Sequence, residues 1–167
     1  MTVAKTGDER KLPPALIDPP FVQDIELEAI LLDECKVTRG VADDQEPGKA
    51  SSEIDVEYTF DSGTAFFLIS THTILSNEKG QELAVVEASF AVLYSCTSDM
   101  QIPSETDIHA YTNGRLMLHV HPFVREFLAT ITNRMGLPTF YLPMFRTHGA
   151  PIEPRPLDAT DEAKAST

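Results

Sequence analysis

Apolar and polar residues alternate with a period of two along four stretches of the chain. Residues 24–32, 53–60 and 82–94 each place apolar side chains on one face and polar side chains on the other, which is typical of half-buried strands. Residues 64–75 begin with apolar side chains on both faces, which indicates a central strand or an interface. Four successive strands without an intervening helix predict an antiparallel sheet.

The phase of each alternation assigns a buried face and a solvent face. The apolar residues on the predicted buried face are Ile25, Leu27, Ala29, Leu31, Ile54, Val56, Tyr58, Phe60, Ala84, Val86, Ala88, Phe90, Val92 and Tyr94. Asp24, Glu26 and Glu28 fall on the solvent face of the first strand, and Glu87 falls on that of the last. Residues 77–81, "NEKGQ", predict a turn in which Gly80 supplies a positive φ.

After Cys96 the apolar residues recur every three or four positions, which predicts helices. Ser104, followed by Asp107, resembles a capping box and begins a short helix. Pro122 suits the first turn of a second helix, and Gly136 suits its C-cap. The apolar stripe of that helix consists of Phe123, Val124, Phe127, Leu128, Ile131 and Met135. The predicted fold is therefore α+β, a four-stranded antiparallel sheet with a long helix packed on it.

Both ends of the chain are polar and contain several prolines, a composition typical of flexible segments. We expect a flexible arm over residues 1–20, one folded domain over residues 21–148 and a flexible tail over residues 149–167. The first residues lack the apolar region of a signal peptide, and no apolar run approaches the ~20 residues of a membrane span. A cytoplasmic protein without membrane insertion is therefore expected.

The chain carries 26 acidic and 13 basic residues and has a net charge of −13, which argues against binding a nucleic-acid backbone. Most of this excess lies between Asp18 and Asp61, and it suits a basic protein or peptide partner. Cys35 and Cys96 lack the CxxC spacing of a metal or redox motif. Two free thiols in a reducing compartment are expected.

Sequence motifs for catalysis are sparse. There is no glycine-rich phosphate loop and no GxSxG nucleophile motif. His119 and His121, with His109, could suggest a metal, but in an extended segment the pair shares one face and no third ligand is evident. Polar packing beside a helix start is the alternative. The alternating carboxylates of the first strand could act in acid–base catalysis or form a solvated strand face. No enzyme activity, metal or other cofactor is expected.

Aromatic residues concentrate in the stretch "HPFVREFLATITNRMGLPTFYLPMF", residues 121–145. Its part between prolines, residues 138–145, either closes the core or borders a binding surface. Aromatic and methionine side chains suit promiscuous recognition because they offer a large contact area without strict polar geometry.

Residues 121–145 also resemble the signature of the SecB export chaperones: an aromatic after proline, then "RE", an apolar helix, a small residue, a proline and an apolar run. "FVQDIELEA" (21–29) resembles that family's first strand. "AVVEASFAVLY" (84–94) resembles the strand in which a glutamate precedes an apolar run with a small residue. "SETDIHAYTNGRLMLHVHPFVRE" (104–126) is similar to actinobacterial SecB-like chaperones found beside toxin–antitoxin modules.

This resemblance implies a cytosolic, acidic homotetramer, a dimer of dimers, that holds non-native polypeptides or preproteins in apolar grooves without nucleotide. Export members hand clients to the SecA ATPase, and the positions that match their SecA contacts are Asp24, Glu28, Val85 and Glu87. The aromatic residues expected to line the client groove are Tyr58, Phe60, Phe66, Phe67, Phe140, Tyr141 and Phe145.

The chain departs from the SecB pattern near its C-terminus. Residues 146–157, "RTHGAPIEPRPL", contain a glycine and three prolines where SecB proteins have a second helix. The loop after the first strand also lacks the tryptophan common in export members. Three hypotheses remain open: a holdase chaperone in export with handover to SecA, a chaperone dedicated to an antitoxin, and a small-ligand-binding α+β domain.

Overall fold

The computed structural model describes residues 18–40, 47–97, 100–137, 139–140, 142 and 151–157. A 3-10 turn, Pro20–Asp24, precedes four long strands. The strands are β1 (Ile25–Arg39), β2 (Pro47–Asp61), β3 (Thr64–Asn77) and β4 (Glu82–Cys96). A helical region follows, made of α1 (Glu105–Tyr111), a π-helical turn (Thr112–Leu116) and α2 (Met117–Arg134). A two-residue strand, β5 (Arg155–Pro156), is the last element.

The strands form one sheet in the order β1-β4-β3-β2-β5. The four long strands pair antiparallel, as predicted, and the turn between β3 and β4 contains Gly80 at φ 78°. The prediction of four strands is wrong, because β5 pairs parallel with β2 and makes the sheet mixed and five-stranded. This strand lies in the segment predicted to be a flexible tail. The predicted domain boundaries stay a prediction.

One face of the sheet packs under the helices and forms the core. The buried apolar residues on this face are Val56, Ala65, Phe67, Ile69, Leu75, Ala84, Val86, Ala88, Phe90, Val92 and Tyr94. Ile108, Tyr111, Leu116, Val120, Val124 and Leu128 cover them from the helical side. The phase predicted for β2 and β4 is confirmed. We call this side of the sheet the helix face and the other side the outer face.

Two irregularities in β1 change the face to which its residues point. The pairing with β4 shifts between Leu27 and Ala29, and again between Leu32 and Glu34. Leu27 pairs with Tyr94 on the helix face, whereas Leu31 pairs with Ala91 on the outer face. An extra residue in one strand moves the side chains that follow it to the opposite face of the sheet. The prediction that Ala29 and Leu31 share the buried face with Leu27 is therefore wrong.

The helical region starts as predicted but is continuous where two separate helices were expected. The Ser104 hydroxyl accepts a hydrogen bond from the Asp107 amide at 3.2 Å and donates one to the Asp107 carboxylate at 2.6 Å. From Glu105 to Arg134 the helical conformation is unbroken. Pro122 therefore lies inside α2 and not in its first turn. Pro122 is exposed, and it removes one backbone donor from the helix.

Candidate polypeptide-binding surfaces

Aromatic rings cluster on the helix face around Phe67. Its ring lies 5.8 Å from that of Phe60, 6.3 Å from Tyr58 and 5.7 Å from Tyr111, measured between ring centroids. Phe67 is fully buried, whereas Tyr58 and Phe60 are half-buried near the β2 side of the sheet. Phe21, from the turn before β1, closes the cluster with edge contacts to Phe60 and Tyr111. Tyr58 and Phe60 are the two members that an incoming chain could reach.

Phe66 and Phe140, the other predicted groove residues that the structure describes, lie outside this cluster. Phe66 is the neighbour of Phe67 in β3 and points to the outer face, where it pairs with Leu93. Phe140 is buried, and its amide donates to the Thr132 hydroxyl at 3.4 Å. Tyr141 and Phe145 lie outside the described residues. The described part of the chain thus places Phe66 and Phe140 apart from the ring cluster, and a client groove lined by the seven aromatic residues stays a prediction.

The outer face carries an apolar band across three strands. Its members, read from the pairing, are Ala29, Leu31, Phe66, Leu68, Ala91 and Leu93. Leu31 is 55% exposed and Leu93 is 38% exposed. Burial of apolar area gives about 25 cal/mol per Å2, so this band favours contact with another polypeptide. The apolar start of the third stretch, noted in the sequence, supplies Phe66 and Leu68.

Charged side chains adjoin this band on the outer face. Lys36 donates to the Glu87 carboxylate at 3.0 Å, and the His72 Nδ1 lies 3.6 Å from it. Lys36 is the main reason that the pKa of Glu87 is lowered, and His72 adds to the effect. These residues line an open depression of about 520 Å3 together with Asp33 and Asp55. Glu87 is therefore already paired within the chain.

The four residues matched to SecA contacts lie at two ends of the sheet. Val85 pairs with Ile74 and Glu87 with His72, so both face outward near the start of β4. Asp24 lies in the 3-10 turn, and its carbonyl accepts from the Thr97 amide at 2.9 Å beyond the end of β4. Glu28 is the extra residue of the first irregularity in β1. At about 3.3 Å per residue, Glu28 and Glu87 are roughly 20 Å apart along the sheet.

His119 packs as a polar core neighbour. Its Nδ1 lies 3.1 Å from the Tyr94 hydroxyl, and burial, aided by Arg115, lowers its pKa. The segment is helical and not extended, so His119 and His121 do not share a face. No group of metal-binding side chains occurs among the described residues. Burial also raises the pKa of Tyr94 and of Tyr111, which keeps both phenols neutral.

The N-terminal turn is fixed to the helical region by one ion pair. The Arg115 guanidinium donates to both carboxylate oxygens of Asp18, with the Nε bond at 2.9 Å. Pro19 and Phe21, which follow Asp18 in the chain, are buried, and the Phe21 ring contacts that of Tyr111. Asp18 and Arg115 were not predicted to interact, because their separation in sequence gives no local signal.

The β2 edge holds an extended segment that the sequence did not reveal as structured. Arg155 and Pro156 pair with β2, and the Leu157 amide donates to the Tyr58 carbonyl at 2.7 Å. Asn113, in the π-helical turn, donates to the Ile152 carbonyl at 2.8 Å and accepts from its amide at 2.7 Å. The prolines at 151, 154 and 156 suggested flexibility, yet proline is compatible with an extended edge strand.

Comparison with known proteins shows which solved structure has a similar fold. No family model and no curated protein sequence matches the chain. Among solved structures it is similar to the Mycobacterium tuberculosis Rv1957 SecB-like chaperone in complex with a ChAD peptide from the Rv1956 HigA1 antitoxin. The TM-score is 0.64 at 21% identity, over 74% of this chain and 93% of that chain. The chain thus has a SecB-like fold, as the resemblance predicted.

A second solved structure is a protein of unknown function from Streptococcus agalactiae. It is 8% identical, with a TM-score of 0.40 over 72% of this chain and 98% of that chain, which is too weak to bear on fold or function. None of the helices in the described residues has the length and hydropathy needed to cross a bilayer.

Proposed function

We propose that this protein is an ATP-independent chaperone that holds a non-native polypeptide, and that an antitoxin is its favoured client. The observation that carries the proposal is the SecB-like fold shared with a chaperone whose structure contains an antitoxin peptide. The match of residues 104–126 to SecB-like chaperones found beside toxin–antitoxin modules supports the same client class.

The surfaces of the chain suit a polypeptide better than a small ligand. The apolar band of the outer face spans three strands and is partly exposed, and Tyr58 and Phe60 are half-buried beside the β2 edge. The three depressions described, of about 520, 490 and 400 Å3, are open to solvent and not enclosed. An enclosed cavity with a few convergent polar groups is the usual small-molecule site. Ligand binding by an enzyme-like pocket therefore has less support.

Holding activity is tested by the aggregation of a denatured client diluted into buffer. We expect stoichiometric amounts of the protein to suppress light scattering without nucleotide, with no further effect of added ATP. An unrelated acidic protein of similar mass serves as the control for charge and crowding. Unchanged aggregation at several-fold molar excess of the protein would contradict the chaperone function.

The identity of the client is tested by recovering the proteins bound to a tagged chain from its own cells. We expect one antitoxin to dominate, and its half-life to fall when the chaperone gene is removed. A broad set of exported preproteins would instead support general export, the function first expected from the resemblance.

Handover to SecA is a second proposal, which two acidic residues motivate, the half-buried Asp24 and the exposed Glu28. Exposed ion pairs contribute only about 0.2–1 kcal/mol each, so both charges need reversal for a clear effect. We expect Asp24→Lys with Glu28→Lys to weaken SecA binding at low salt, and high salt to reduce the difference, since exposed charges are screened. Equal SecA affinity of wild type and double variant at low salt would remove this proposal.

A further inference from the structure

The last part of residues 151–157, which we call the C-terminal segment, pairs with the β2 edge as a short strand. Arg155 and Pro156 pair with Glu57 and Tyr58 in parallel register. The hydrogen bond from the Leu157 amide to the Tyr58 carbonyl extends this pairing by one residue. Edge strands expose unpaired backbone groups that bind an added strand, and here the chain's own segment supplies it.

Asn113 forms hydrogen bonds to backbone atoms of this segment and not to its side chains. Its amide group donates to the Ile152 carbonyl and accepts from the Ile152 amide, which is the pattern by which a strand recognises its neighbour. Asn113 also donates to the His109 carbonyl at 3.0 Å, which orients its side-chain amide. Asn113 lies in the π-helical turn, where the hydrogen bonding of the helix is altered. Both bonds involve backbone atoms of Ile152, so another peptide with a free amide at this position could form them.

Side-chain contacts of the segment indicate which residues the β2 edge would prefer in a bound peptide. The Arg155 guanidinium donates to the Glu57 carboxylate at 3.1 Å, and Ile152 packs against the core cluster. Glu153 lies 3.4 Å from the His109 Nε2. Tyr58, Glu105, Thr106 and His109 line an open depression of about 490 Å3 alongside Glu153 and the prolines at 154 and 156. This depression leaves room for side chains larger than those of the segment.

We propose that this edge is the client site, and that the C-terminal segment is an intramolecular competitor that a client displaces. The partner is an extended polypeptide strand with an apolar residue opposite Asn113 and a basic residue opposite Glu57. The inference rests on the proposed chaperone function and names its surface. The net charge of −13 further favours a basic strand over an acidic one.

Weakening the segment in the full-length chain tests the competition. Arg155→Glu places like charges opposite each other, and we expect it to tighten binding of a fluorescent, permanently unfolded probe protein about two- to fivefold, the range for an exposed ion pair. The double variant Glu57→Arg with Arg155→Glu exchanges the two charges and restores the attraction between residues 57 and 155. With an unfolded probe that carries no charge, we expect this double variant to have the wild-type affinity. Lys49→Glu, the same charge change at the other end of β2, is the matched control and leaves affinity unchanged.

A synthetic peptide of residues 149–159, "GAPIEPRPLDA", tests the site without any assumed client. We expect it to bind the Arg155→Glu chain, to displace the unfolded probe from it, and to bind the wild-type chain more weakly. Adding Asn113→Ala to the Arg155→Glu chain should lower affinity for the peptide about tenfold, because two hydrogen bonds are lost. Asn133→Ala, an exposed asparagine in α2, is the control and should not lower it.

Hydrogen exchange of the Ile152 and Leu157 amides reports displacement directly, because both are hydrogen-bonded in the folded chain. We expect the unfolded probe to accelerate exchange at both amides in the wild-type protein. If the protein suppresses aggregation while these amides stay protected, or if the peptide binds without displacing the probe, the inference is overturned and the chaperone function stands. If no variant holds any client, the proposed function itself fails.

Discussion

At the scale of single residues, neighbours in one strand serve different faces of the sheet. Phe66 and Phe67 are adjacent in β3, and the period of two sends one outward to Leu93 and the other inward to Tyr58 and Tyr111. Only the buried ring contributes to the core. The free energy of unfolding should therefore depend strongly on which phenylalanine is removed.

We expect Phe67→Ala to lower the free energy of unfolding by about 3–5 kcal/mol, because a fully buried ring leaves a cavity among four aromatic neighbours. Phe123→Ala is the matched control, since that ring is 48% exposed in α2 and its loss should cost far less. Urea titration of both variants measures the difference. Equal losses would contradict the assignment of the core face.

A second residue-scale prediction concerns His119 and pH. Burial lowers the pKa of its imidazole in the folded chain, so the unfolded chain binds a proton more readily. The stability that neutral His119 provides is complete above its ordinary pKa, about 6.5, and is lost as the pH falls through the lower folded-state pKa. When the pH is lowered from about 7.5 to about 5, we expect the free energy of unfolding to fall less in His119→Gln than in the wild type.

Urea titrations of wild type and His119→Gln at the two pH values measure this effect. Tyr94→Phe removes the hydroxyl beside the imidazole but keeps the titrating group, so it should retain the wild-type pH dependence. Identical pH dependence in wild type and His119→Gln would show that another group is responsible.

At the scale of elements, end signals in the sequence fix where the helical region begins and ends. The Gly136 amide donates to the Asn133 carbonyl and the Leu137 amide to the Thr132 carbonyl, both at 3.0 Å. With Gly136 at φ 69°, this is a Schellman motif, and it turns the chain so that Leu137 enters the core. A residue with a Cβ atom is strained at such a φ.

We expect Gly136→Ala to lower the free energy of unfolding by about 1–2 kcal/mol, because an L-residue pays this cost in the left-handed conformation. Gly136→Asn should cost less, since asparagine tolerates the same conformation. Thermal or urea unfolding of the two variants provides the comparison. An alanine variant as stable as the asparagine variant would argue against the Schellman geometry.

At the scale of the whole molecule, several large apolar side chains are not covered by the chain's own elements. Leu118 and Phe123 in α2 are 49% and 48% exposed, and Leu32 on the helix side of β1 is 47% exposed. Interfaces of stable oligomers resemble a core divided between subunits. We propose that these residues contribute to a homotetramer, the assembly expected from the resemblance.

We expect light scattering at micromolar concentration to give four times the chain mass of 18.4 kDa. Leu118→Glu with Phe123→Glu should reduce this mass, because a charge would be buried at the interface. Ile102→Glu is the control, since Ile102 is 78% exposed before α1 and should not alter assembly. A single mass near 18.4 kDa for the wild type would rule out the tetramer.

Local patterns in the sequence determined the elements and most of their faces. Alternation assigned the buried residues of β2 and β4 correctly, and Ser104 and Gly136 marked both ends of the helical region. These features depend on neighbours a few positions apart, so periodicity and capping reveal them. The antiparallel pairing of the long strands was predicted because no helix lies between them in the sequence.

Only the tertiary structure decided the features that depend on distant partners. The irregularities of β1 arise from its pairing with β4, and they moved Leu31 to the outer face. A break between two helices was expected before Pro122, but the helix continues through the π-helical turn. Asn113 lies in this turn and donates a hydrogen bond to the Ile152 carbonyl. The fifth strand formed because β2 has a free edge within reach of the C-terminal segment. Long-range pairing leaves no periodic trace in a sequence, and the β2 edge was therefore visible only in the fold.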